Sequence, residues 1–426
     1  MLTVEEALEK ILDEIKTLDE ESVPILDSLG QVLAEDIISD INVPPLDNSA
    51  MDGYAVIAAD TKGASTASPK FLKVIDTIMA GSISRQEIIS GTAARIMTGA
   101  PIPQGADSVV QFEDMDEENR RQTAPEKSMT EVGIMSEASE GLNVRKAGES
   151  ISRGATILKK GTIIRPSEIG LIASSGNSRV QVIRRPVVAI LSTGNELVDI
   201  EQPLSEGKLY NSNSYSIASL VKRYGAIPKI LGIAMDDEDD LVSKLRQAQD
   251  ADMLLTTGGV SMGDYDMVKD ILARDGEMVF WKVRVKPGKP LAFGKIKGTD
   301  HNGAQRDIPH LGLPGNTVSC MVSFELFVRP ALLKMMGKKN IAKPTVEAIL
   351  EENVKNNAGR RVYDRAIIEK RNGHYYAKLT GPQGSGILSS MGMANGLILI
   401  PEEKKELPKG AAVKALMLDW NEEVNI

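Results

Sequence analysis

The sequence has little that could form cross-links or bind soft metals: one cysteine, Cys320, and three histidines, His301, His310 and His374. A single cysteine excludes disulfide bonds within the chain and favours a reducing compartment. No histidines are paired at ligand spacing, which argues against a zinc site. Any metal should therefore be a hard ion held by oxygen atoms, such as Mg²⁺.

Long apolar runs and an excess of positive charge are also missing. No run approaches the roughly 18 apolar residues of a membrane-spanning helix, and an acidic amphipathic helix stands where a signal peptide would. The formal net charge of −9 argues against a general nucleic-acid-binding protein, since neutralising phosphates requires a basic face. We therefore expect a cytoplasmic protein that binds neither nucleic acid nor membrane.

The chain of 426 residues is too long for one core and predicts several domains. Thr3 and Glu6 predict a capping box that opens a helical region reaching about Asp36. Short alternating runs over residues 56–140 predict a small β domain, and a helix follows near residues 167–174. From residue 185 strands and helices alternate, which predicts a mostly parallel sheet covered on both faces. Residues 345–426 indicate a small barrel or sandwich.

The stretch LLTTGGVSMGDYD, residues 254–266, is the first candidate site. It reads as a buried strand, two glycines that allow a close backbone approach, and a polar loop with Ser261, Asp264 and Asp266. In an open α/β sheet such a loop lies at the carboxyl edge of the strands, where ligands bind.

A cationic segment, WKVRVKPGKP, follows at residues 281–290. On one continuous strand, Lys282, Arg284 and Lys286 would share a face, with Lys289 beyond a Pro-Gly turn. A row of like charges needs solvent or an anion to compensate it. The segment is either a solvated edge strand or an anion site, and its position directly after the acidic loop favours the anion.

Carboxylates follow successive predicted strands at Glu196, Asp236 and Asp264/Asp266. Converging acids at one sheet edge suit Mg²⁺ beside phosphates, although each acid could instead cap a helix. Residues 310–319, HLGLPGNTVS, place a predicted helix N-terminus after another strand, which suits either an anion or a simple cap.

Two phosphate-binding motifs, G-x-x-x-x-G-K-[ST] and G-x-G-x-x-G, are absent. The segment Gly259–Gly263 matches the motif G-x-S-x-G, which indicates an alternative function, a serine hydrolase with Ser261 as the nucleophile. That alternative is disfavoured because the next helix is predicted to begin only near Asp266, whereas a nucleophilic serine stands directly at the helix start.

Seven motifs in order carry a resemblance: PPLDNSAMDGYAV, RIMTGAP, NVRKAGE, STGNEL, LTTGGVSMGDYD, KVRVKPGKPLAFG and GLPGNTVS. With GRRVYDRA and GSGILSSMGMANGLILIP near the C-terminus, they span nearly the whole chain. The sequence resembles the molybdopterin molybdenumtransferase family, called MoeA in bacteria and similar to the E domain of gephyrin.

With this resemblance we predict a multidomain α/β and β protein. A discontinuous N-terminal α+β domain comprises residues 1–45 and 143–180, and a small β-rich domain comprises residues 46–142. A molybdopterin-binding, doubly wound α/β domain spans residues 181–338, and a C-terminal β-barrel domain spans residues 339–426.

The resemblance implies a transferase that inserts molybdate or tungstate into adenylylated molybdopterin, with Mg²⁺-dependent release of AMP, as the last step of molybdenum cofactor biosynthesis. It implies a homodimer whose site is shared between subunits, and the molybdopterin adenylyltransferase as a further partner. A non-catalytic molybdopterin-binding scaffold is the main alternative, and the adenylyltransferase itself is another.

By motif position, the resemblance implies three sets of residues. The catalytic set is Asp52, Glu196, Asp266, Lys282 and Lys286. The substrate-binding set is Thr98, Ser261, Lys289, Pro290, Arg365 and Ser385. The metal ligands are Glu196, Asp236 and Asp266.

Three positions need comment when the family's residue roles are assigned to this sequence. Arg365 is chosen over Arg360 and Arg361 as the site arginine. Ser150 stands where the family usually has an acid, so one expected carboxylate is missing. Thr317 replaces a usual proline and can still cap the following helix.

Overall fold

A computed structural model describes residues 1–117, 130–235, 237–259, 276–299 and 303–419, without the side chains of residues 276–278, 280 and 281. The predicted site residues Asp236, Ser261, Asp264 and Asp266, and the helix predicted to begin near Asp266, lie outside these ranges. The chain forms two compact units. The small unit comprises residues 23–29 and 35–180, and the large unit comprises residues 1–22, 30–34 and 181–426. Within the described ranges, no helix has the length and apolar character needed to cross a membrane.

The described α-helices are short. They are α1 (Val4–Glu14), α2 (Pro166–Ser174), α3 (Ser212–Arg223), α4 (Glu238–Arg246), α5 (Thr317–Ser323), α6 (Arg329–Met335) and α7 (Leu388–Gly392). A π-helical turn, Phe324–Val328, joins α5 to α6. The helix predicted to begin after the HLGLPGNTVS segment is therefore present, and it is interrupted once by this π-helical turn.

The small unit is built on a five-stranded sheet. Its strands are β1 (Gly53–Val56), β2 (Lys70–Ile78), β3 (Thr92–Ile96), β4 (Ser108–Gln111) and β5 (Glu131–Ile134). They lie in the order β4-β1-β3-β2-β5, and β2 and β3 are parallel. Neighbouring residues of one strand enter different clusters, as when Tyr54 joins one core and Ala55 another. The sheet is thus apolar on both faces.

The large unit contains a six-stranded sheet. The strands of this part of the chain are β6 (Val187–Thr193), β7 (Ile227–Ala234), β8 (Met253–Thr257), β9 (Gly276–Lys282), β10 (Val285–Lys286), β11 (Pro290–Thr299) and β12 (Gln305–Leu313). Without β10, they lie in the order β7-β6-β8-β12-β11-β9. The first four strands are parallel, and β11 and β9 are antiparallel additions. Helices α3, α5 and α6 contribute to the core on one face and α4 to the core on the other, which is the doubly wound arrangement.

The prediction of one continuous cationic strand is wrong. Lys282 ends β9 in the α/β sheet, whereas Val285 and Lys286 form β10, which pairs with a strand of the C-terminal barrel. The break falls at Val283 and Arg284, and the Arg284 N–H donates to the Leu2 carbonyl. This register is set by a pairing partner 76 residues away along the chain, which local alternation does not reveal.

The C-terminal part is a closed five-stranded barrel. Its strands are β13 (Thr345–Leu350), β14 (Arg361–Arg371), β15 (His374–Leu379), β16 (Gly396–Ile400) and β17 (Ala412–Met417). The ring runs β14-β15-β13-β17-β16 and closes through β16 to β14, and β10 adds to the start of β14. Val362, Ala366, Ile398 and Ile400 fill the interior.

The remaining described strands are short. They are Glu20–Pro24, Ile37–Ile38, Asn48–Ser49, Val144–Arg145, Thr156–Leu158, Arg179–Ile183, Leu197–Val198, Leu209–Tyr210, Val354–Lys355 and Glu406–Leu407.

Helix α1 begins with the predicted capping box: the Glu6 N–H donates to the Thr3 hydroxyl and the Thr3 N–H to the Glu6 carboxylate. Its apolar stripe is buried in the core of the large unit. The prediction that the helical region reaches Asp36 is wrong, because α1 ends at Glu14 and residues 20–24 form a strand. Pro24 favours extended backbone for the residue before it, which opposes continuation of the helix.

Two buried ionic clusters stabilise the large unit. The Asp252 carboxylate, 4% exposed, accepts two hydrogen bonds from the Arg184 guanidinium (2.6 and 2.7 Å) and one from Arg306 (2.8 Å). Between the α/β domain and the barrel, the Lys343 ammonium donates to Glu325 at 2.7 Å. These bonds compensate charges that would be costly to bury alone.

Candidate functional site

A cavity of about 810 Å³ opens at the carboxyl edge of the α/β sheet. Strands β6, β8 and β12 end within one residue of one another there: Ser192 pairs with Thr257 and Thr257 with Leu313, and β6 continues to Thr193. The wall is formed by the turns after these strands, the start of α3 and two residues of the barrel region, namely Thr193, Gly194, Glu196, Leu197, Leu209, Tyr210, Asn211, Ser212, Asn213, Gly258, Gly259, Pro290, Pro314, Gly315, Asn316, Thr317, Gly386 and Leu388. The edge predicted from the strand–loop pattern is therefore a concave site.

Buried polar side chains behind one wall of the cavity hold it rigid. The Ser192 hydroxyl lies 2.9 Å from Asn211 Oδ1, 2.9 Å from the Ser214 hydroxyl and 2.9 Å from the Thr257 hydroxyl. Asn211 also caps α3, because its side chain accepts the Ser214 N–H. The network ties β6 and β8 to the start of α3, so the position of that helix start is fixed.

Two cavity-lining residues carry buried polar atoms without a partner among the described residues. Asn213 Nδ2 donates to the Gly315 carbonyl at 2.8 Å, which orients the amide and leaves Oδ1 unbonded. The Thr317 hydroxyl is also unbonded. Buried polar atoms are nearly always paired in folded proteins, so such atoms beside a cavity are typical of a binding site. Asn213 was not among the predicted site residues, because an asparagine in a polar helix start resembles an ordinary cap.

Glu196 is the one predicted metal ligand inside the described ranges. It lines the cavity, is exposed, and has no ion pair with a described residue. A Cβ added to Gly194, whose φ is 136°, would lie 2.3 Å from Glu196 Oε2, so the glycine leaves room for this carboxylate. A free carboxylate at a polar cavity suits a hard cation. Among the described residues, at this cavity or away from it, no three histidine, cysteine or acidic side chains cluster at metal-binding distance.

The three predicted lysines lie around the junction of the sheet and the barrel. Lys282 is paired with Pro290 across β9 and β11, Lys286 with Val362 in β14, and the Lys289 carbonyl accepts the Val283 N–H. All three lysines are partly buried, and none forms an ion pair with a described carboxylate. Arg284 differs, because its guanidinium lies 3.1 Å from Glu402.

The turn that carries Lys289 fits tightly against α5. Gly288 has a φ of 101°, and a Cβ there would lie 2.6 Å from the Ser323 hydroxyl. Only glycine suits this combination of positive φ and close contact. The turn is therefore fixed, and with it the backbone position of Lys289 and of Pro290, which lines the cavity.

Arg365 is fully buried and bonded within the protein. Its guanidinium donates to the carbonyls of Pro382 (3.0 Å), Gln383 (3.3 Å) and Gly384 (3.0 Å) and to the Ser390 hydroxyl (2.9 Å). These bonds hold the loop that leads to Ser385 and Gly386, residues next to or in the cavity wall. Arg365 thus supports the loop, and its predicted direct contact with substrate stays a prediction.

The other two candidate arginines also have protein partners. Arg360 donates to the Val285 carbonyl at 3.3 Å, and Arg361 forms an ion pair with Glu5. Ser385 is partly buried, and its backbone carbonyl accepts a hydrogen bond from the Val318 N–H at 3.1 Å. This bond does not involve the Ser385 hydroxyl.

Asp52 and Thr98 form a pair in the small unit. The Thr98 N–H and hydroxyl both donate to Asp52 Oδ1, at 2.6 and 2.8 Å. The backbone N–H, the hydroxyl and the charge of Arg95 lower the pKa of Asp52. Asp52 is therefore an exposed, ionised carboxylate whose second oxygen is available to a ligand.

One described histidine bears on the hydrolase alternative. His310 is fully buried in β12, where its Nε2 lies 3.0 Å from the Thr256 hydroxyl. Burial lowers its pKa to about 3. It is thus enclosed within the sheet and has no access to the cavity surface, which leaves the hydrolase without this base.

Comparison with known families covers nearly the whole chain. Residues 2–176 match the family "MoeA N-terminal region (domain I and II)", residues 189–334 match "Probable molybdopterin binding domain", and residues 347–418 match "MoeA C-terminal region (domain IV)".

Curated relatives and a solved structure agree with these matches. The chain is 36% identical over 421 residues to molybdopterin molybdenumtransferase 2 of Mycobacterium tuberculosis, covering 97% of this chain and 99% of that protein. It is 34% identical to the molybdopterin molybdenumtransferase of Haemophilus influenzae, covering 97% and 98%. The crystal structure of the molybdopterin biosynthesis protein MoeA from Pyrococcus horikoshii superposes with a TM-score of 0.80 at 33% identity and covers 99% of this chain and 100% of that one.

Proposed function

The chain belongs to the MoeA family of molybdopterin molybdenumtransferases, enzymes of molybdenum cofactor biosynthesis, and on this premise we propose the reaction that it catalyses. It inserts molybdate or tungstate into adenylylated molybdopterin and releases AMP in a Mg²⁺-dependent step, the last of the pathway. The observation that carries the proposal is the cavity at the carboxyl edge of the sheet, with a free carboxylate, Glu196, and unbonded polar atoms in its wall.

The cavity suits a substrate with a heterocycle and a phosphoanhydride. Its volume of about 810 Å³ lies within the range of pockets that bind ligands of this size. Asn213 and Thr317 line the cavity, with their unbonded polar atoms buried directly behind its wall, and the backbone of Gly258 and Gly259 presents no side chain to the ligand. Thr98 and Ser261 complete the proposed substrate contacts.

The lysines near the sheet–barrel junction suit the oxyanion. A dianion is held by charge-assisted hydrogen bonds, and Lys286 and Lys289 are cations without a described carboxylate partner. Ser385 adds a hydroxyl, and Pro290 shapes the cavity wall beside it. Arg365 orients the loop that carries Ser385. We call the group Lys286, Lys289 and Ser385 the oxyanion subsite.

Mg²⁺ would neutralise charge on the phosphate oxygens of the anhydride. Glu196, together with Asp236 and Asp266, is proposed to hold it through carboxylate oxygens. Lys282 stabilises the negative charge that develops on the phosphate as AMP leaves. The ionised Asp52 orients substrate or water.

The proposal includes a homodimer in which Asp52 and Thr98 of one subunit serve the cavity of the other. Mixing the Asp52→Ala and Lys286→Ala variants and allowing subunits to exchange tests this arrangement. Mixed dimers should regain up to about half of the activity per dimer, because one of the two shared sites is then intact. No regain with proven exchange would place all residues of a site in one subunit.

Release of AMP tests the function itself. The protein is incubated with adenylylated molybdopterin, Mg²⁺ and molybdate, and AMP is measured by chromatography. Release that requires both the metal ion and the oxyanion is expected. Tight binding of the adenylylated ligand without release would instead identify the non-catalytic scaffold. Competition between molybdate and tungstate in the same assay gives the preferred oxyanion.

A further inference from the structure

Asp364 is a buried carboxyl group next to the oxyanion subsite. It lies on β14, two residues beyond Val362, which pairs with Lys286. Side chains on a strand alternate, so Val362 and Asp364 share the face of β14 that lines the barrel interior. Lys286 shares that face as the partner of Val362, whereas Arg365 points to the opposite face. Only 6% of Asp364 is exposed.

Few groups compensate this carboxyl group. It receives no hydrogen bond from a described residue, and its register partner on β16 is the apolar Ile398. The charged groups that act on it are Lys286 from β10 and Arg365 from its own strand. Burial raises the pKa of Asp364 to about 6, and the two cations only partly offset the effect. The group therefore changes its charge near pH 6 instead of near pH 4.

A bound oxyanion would change this balance. In the free protein the ionised Asp364 is the nearby counter-charge of Lys286. A dianion bound to Lys286 would replace Asp364 as the counter-charge of that lysine. It would also repel an ionised Asp364 carboxylate beside it. The neutral acid removes the repulsion and offers an O–H donor to an oxyanion oxygen.

We propose that Asp364 belongs to the oxyanion subsite and binds as the neutral acid, so that each oxyanion bound next to Lys286 brings one proton from solvent onto the Asp364 carboxylate. The proton remains on an Asp364 oxygen while the oxyanion is bound and returns to solvent when it leaves. Asp364 is thereby a specificity-determining residue, because it favours oxyanions with an oxygen free to accept this hydrogen bond. The inference rests on the proposed function for the location of the oxyanion.

Calorimetric titration of the full-length protein with tungstate tests the proposal. Titrations at pH 6.5, 7, 7.5 and 8, in two buffers of different ionisation enthalpy that are not oxyanions, give both the Kd and the number of protons taken up. Above a pKa of about 6, the neutral fraction of Asp364 falls roughly tenfold per pH unit. We expect Kd to rise about tenfold from pH 7 to pH 8, with close to one proton taken up per tungstate.

Asp364→Asn keeps the shape and a donor of the neutral acid. We expect its Kd to be independent of pH over this range, with no proton uptake and binding at least tenfold tighter than wild type at pH 8. Glu369→Gln removes an exposed carboxylate from the same strand and serves as the matched control, with the pH dependence of wild type. Thermal unfolding of both variants confirms folding; if Asp364→Asn does not fold, the proton count of the wild type decides alone.

The outcomes separate this proposal from the proposed function. Wild-type binding without proton uptake, or the same slope of Kd against pH in Asp364→Asn, would overturn the role of Asp364 and leave AMP release untouched. Absence of tungstate binding at every pH, together with absence of AMP release, would overturn both.

Discussion

Lys286→Ala removes one cation from the oxyanion subsite. The side chain is partly buried and has no ion pair among the described residues, so its loss breaks no described interaction except the attraction to Asp364. A hydrogen bond to a charged group contributes about 1.5–3 kcal/mol, which corresponds to roughly a 10- to 150-fold increase in the Kd for tungstate or molybdate. The change in unfolding free energy should stay within about 0.5 kcal/mol, as for most substitutions that remove no buried contact.

Calorimetric titration with tungstate and thermal unfolding measure these two quantities. Arg284→Ala is the matched control, because Arg284 lies two residues away but is paired with Glu402 and should leave the Kd within about twofold of wild type. Equal losses of oxyanion affinity in the two variants would show a general effect of net charge. A large loss of thermal stability in Lys286→Ala with unchanged affinity would refute the binding role.

Three further predictions concern the cavity wall and the buried ionic clusters. Gly258→Ala would place a Cβ 2.5 Å from a backbone oxygen at a φ of 89°. We therefore expect it to lower the unfolding free energy by about 1–3 kcal/mol and to weaken AMP binding, measured by titration. The control is Gly303→Ala, which has a φ of 81° and open space around it and should leave AMP binding unchanged. Lys343→Met should cost about 3 kcal/mol in thermal unfolding because it leaves the buried Glu325 carboxylate without its cation, and adding Glu325→Leu should restore most of that loss. Burial raises the pKa of Asp252, but the hydrogen bonds that its carboxylate accepts outweigh burial and lower the pKa below 3.8. The ionised carboxylate therefore stabilises the folded protein fully above pH 3.8, and this stabilisation is lost as the pH falls through the lowered pKa. The Tm difference between wild type and Asp252→Asn should accordingly shrink from pH 7 to pH 3.

Local pattern was sufficient where neighbours in sequence decide the structure. The capping box of Thr3 and Glu6 and the buried strand over residues 253–257 follow from nearby residue types, and both are present. The location of Glu196 at the cavity follows for the same reason, because a residue in the turn after a buried parallel strand lies at the carboxyl edge of the sheet; its role as a metal ligand stays a prediction.

Long-range pairing decided the features that the sequence did not predict. The cationic segment divides between two sheets because Lys286 pairs with Val362 on a strand remote in sequence. Arg365 lies in the charged segment GRRVYDRA, but the carbonyls that accept its hydrogen bonds come from residues 382–384. Asp364 was overlooked because an aspartate on a strand is ordinarily exposed, and only barrel closure buries it.

Crystals soaked with tungstate test the central claim most directly, because the metal gives a strong anomalous signal. The claim is that an oxyanion binds at the junction of the α/β sheet and the barrel, beside the cavity that takes the adenylylated substrate. We predict an anomalous peak at this junction, with the tungstate oxygens around it within hydrogen-bonding distance of Lys286, Lys289 and Ser385. Occupied peaks that all lie elsewhere, with this junction empty, would contradict it.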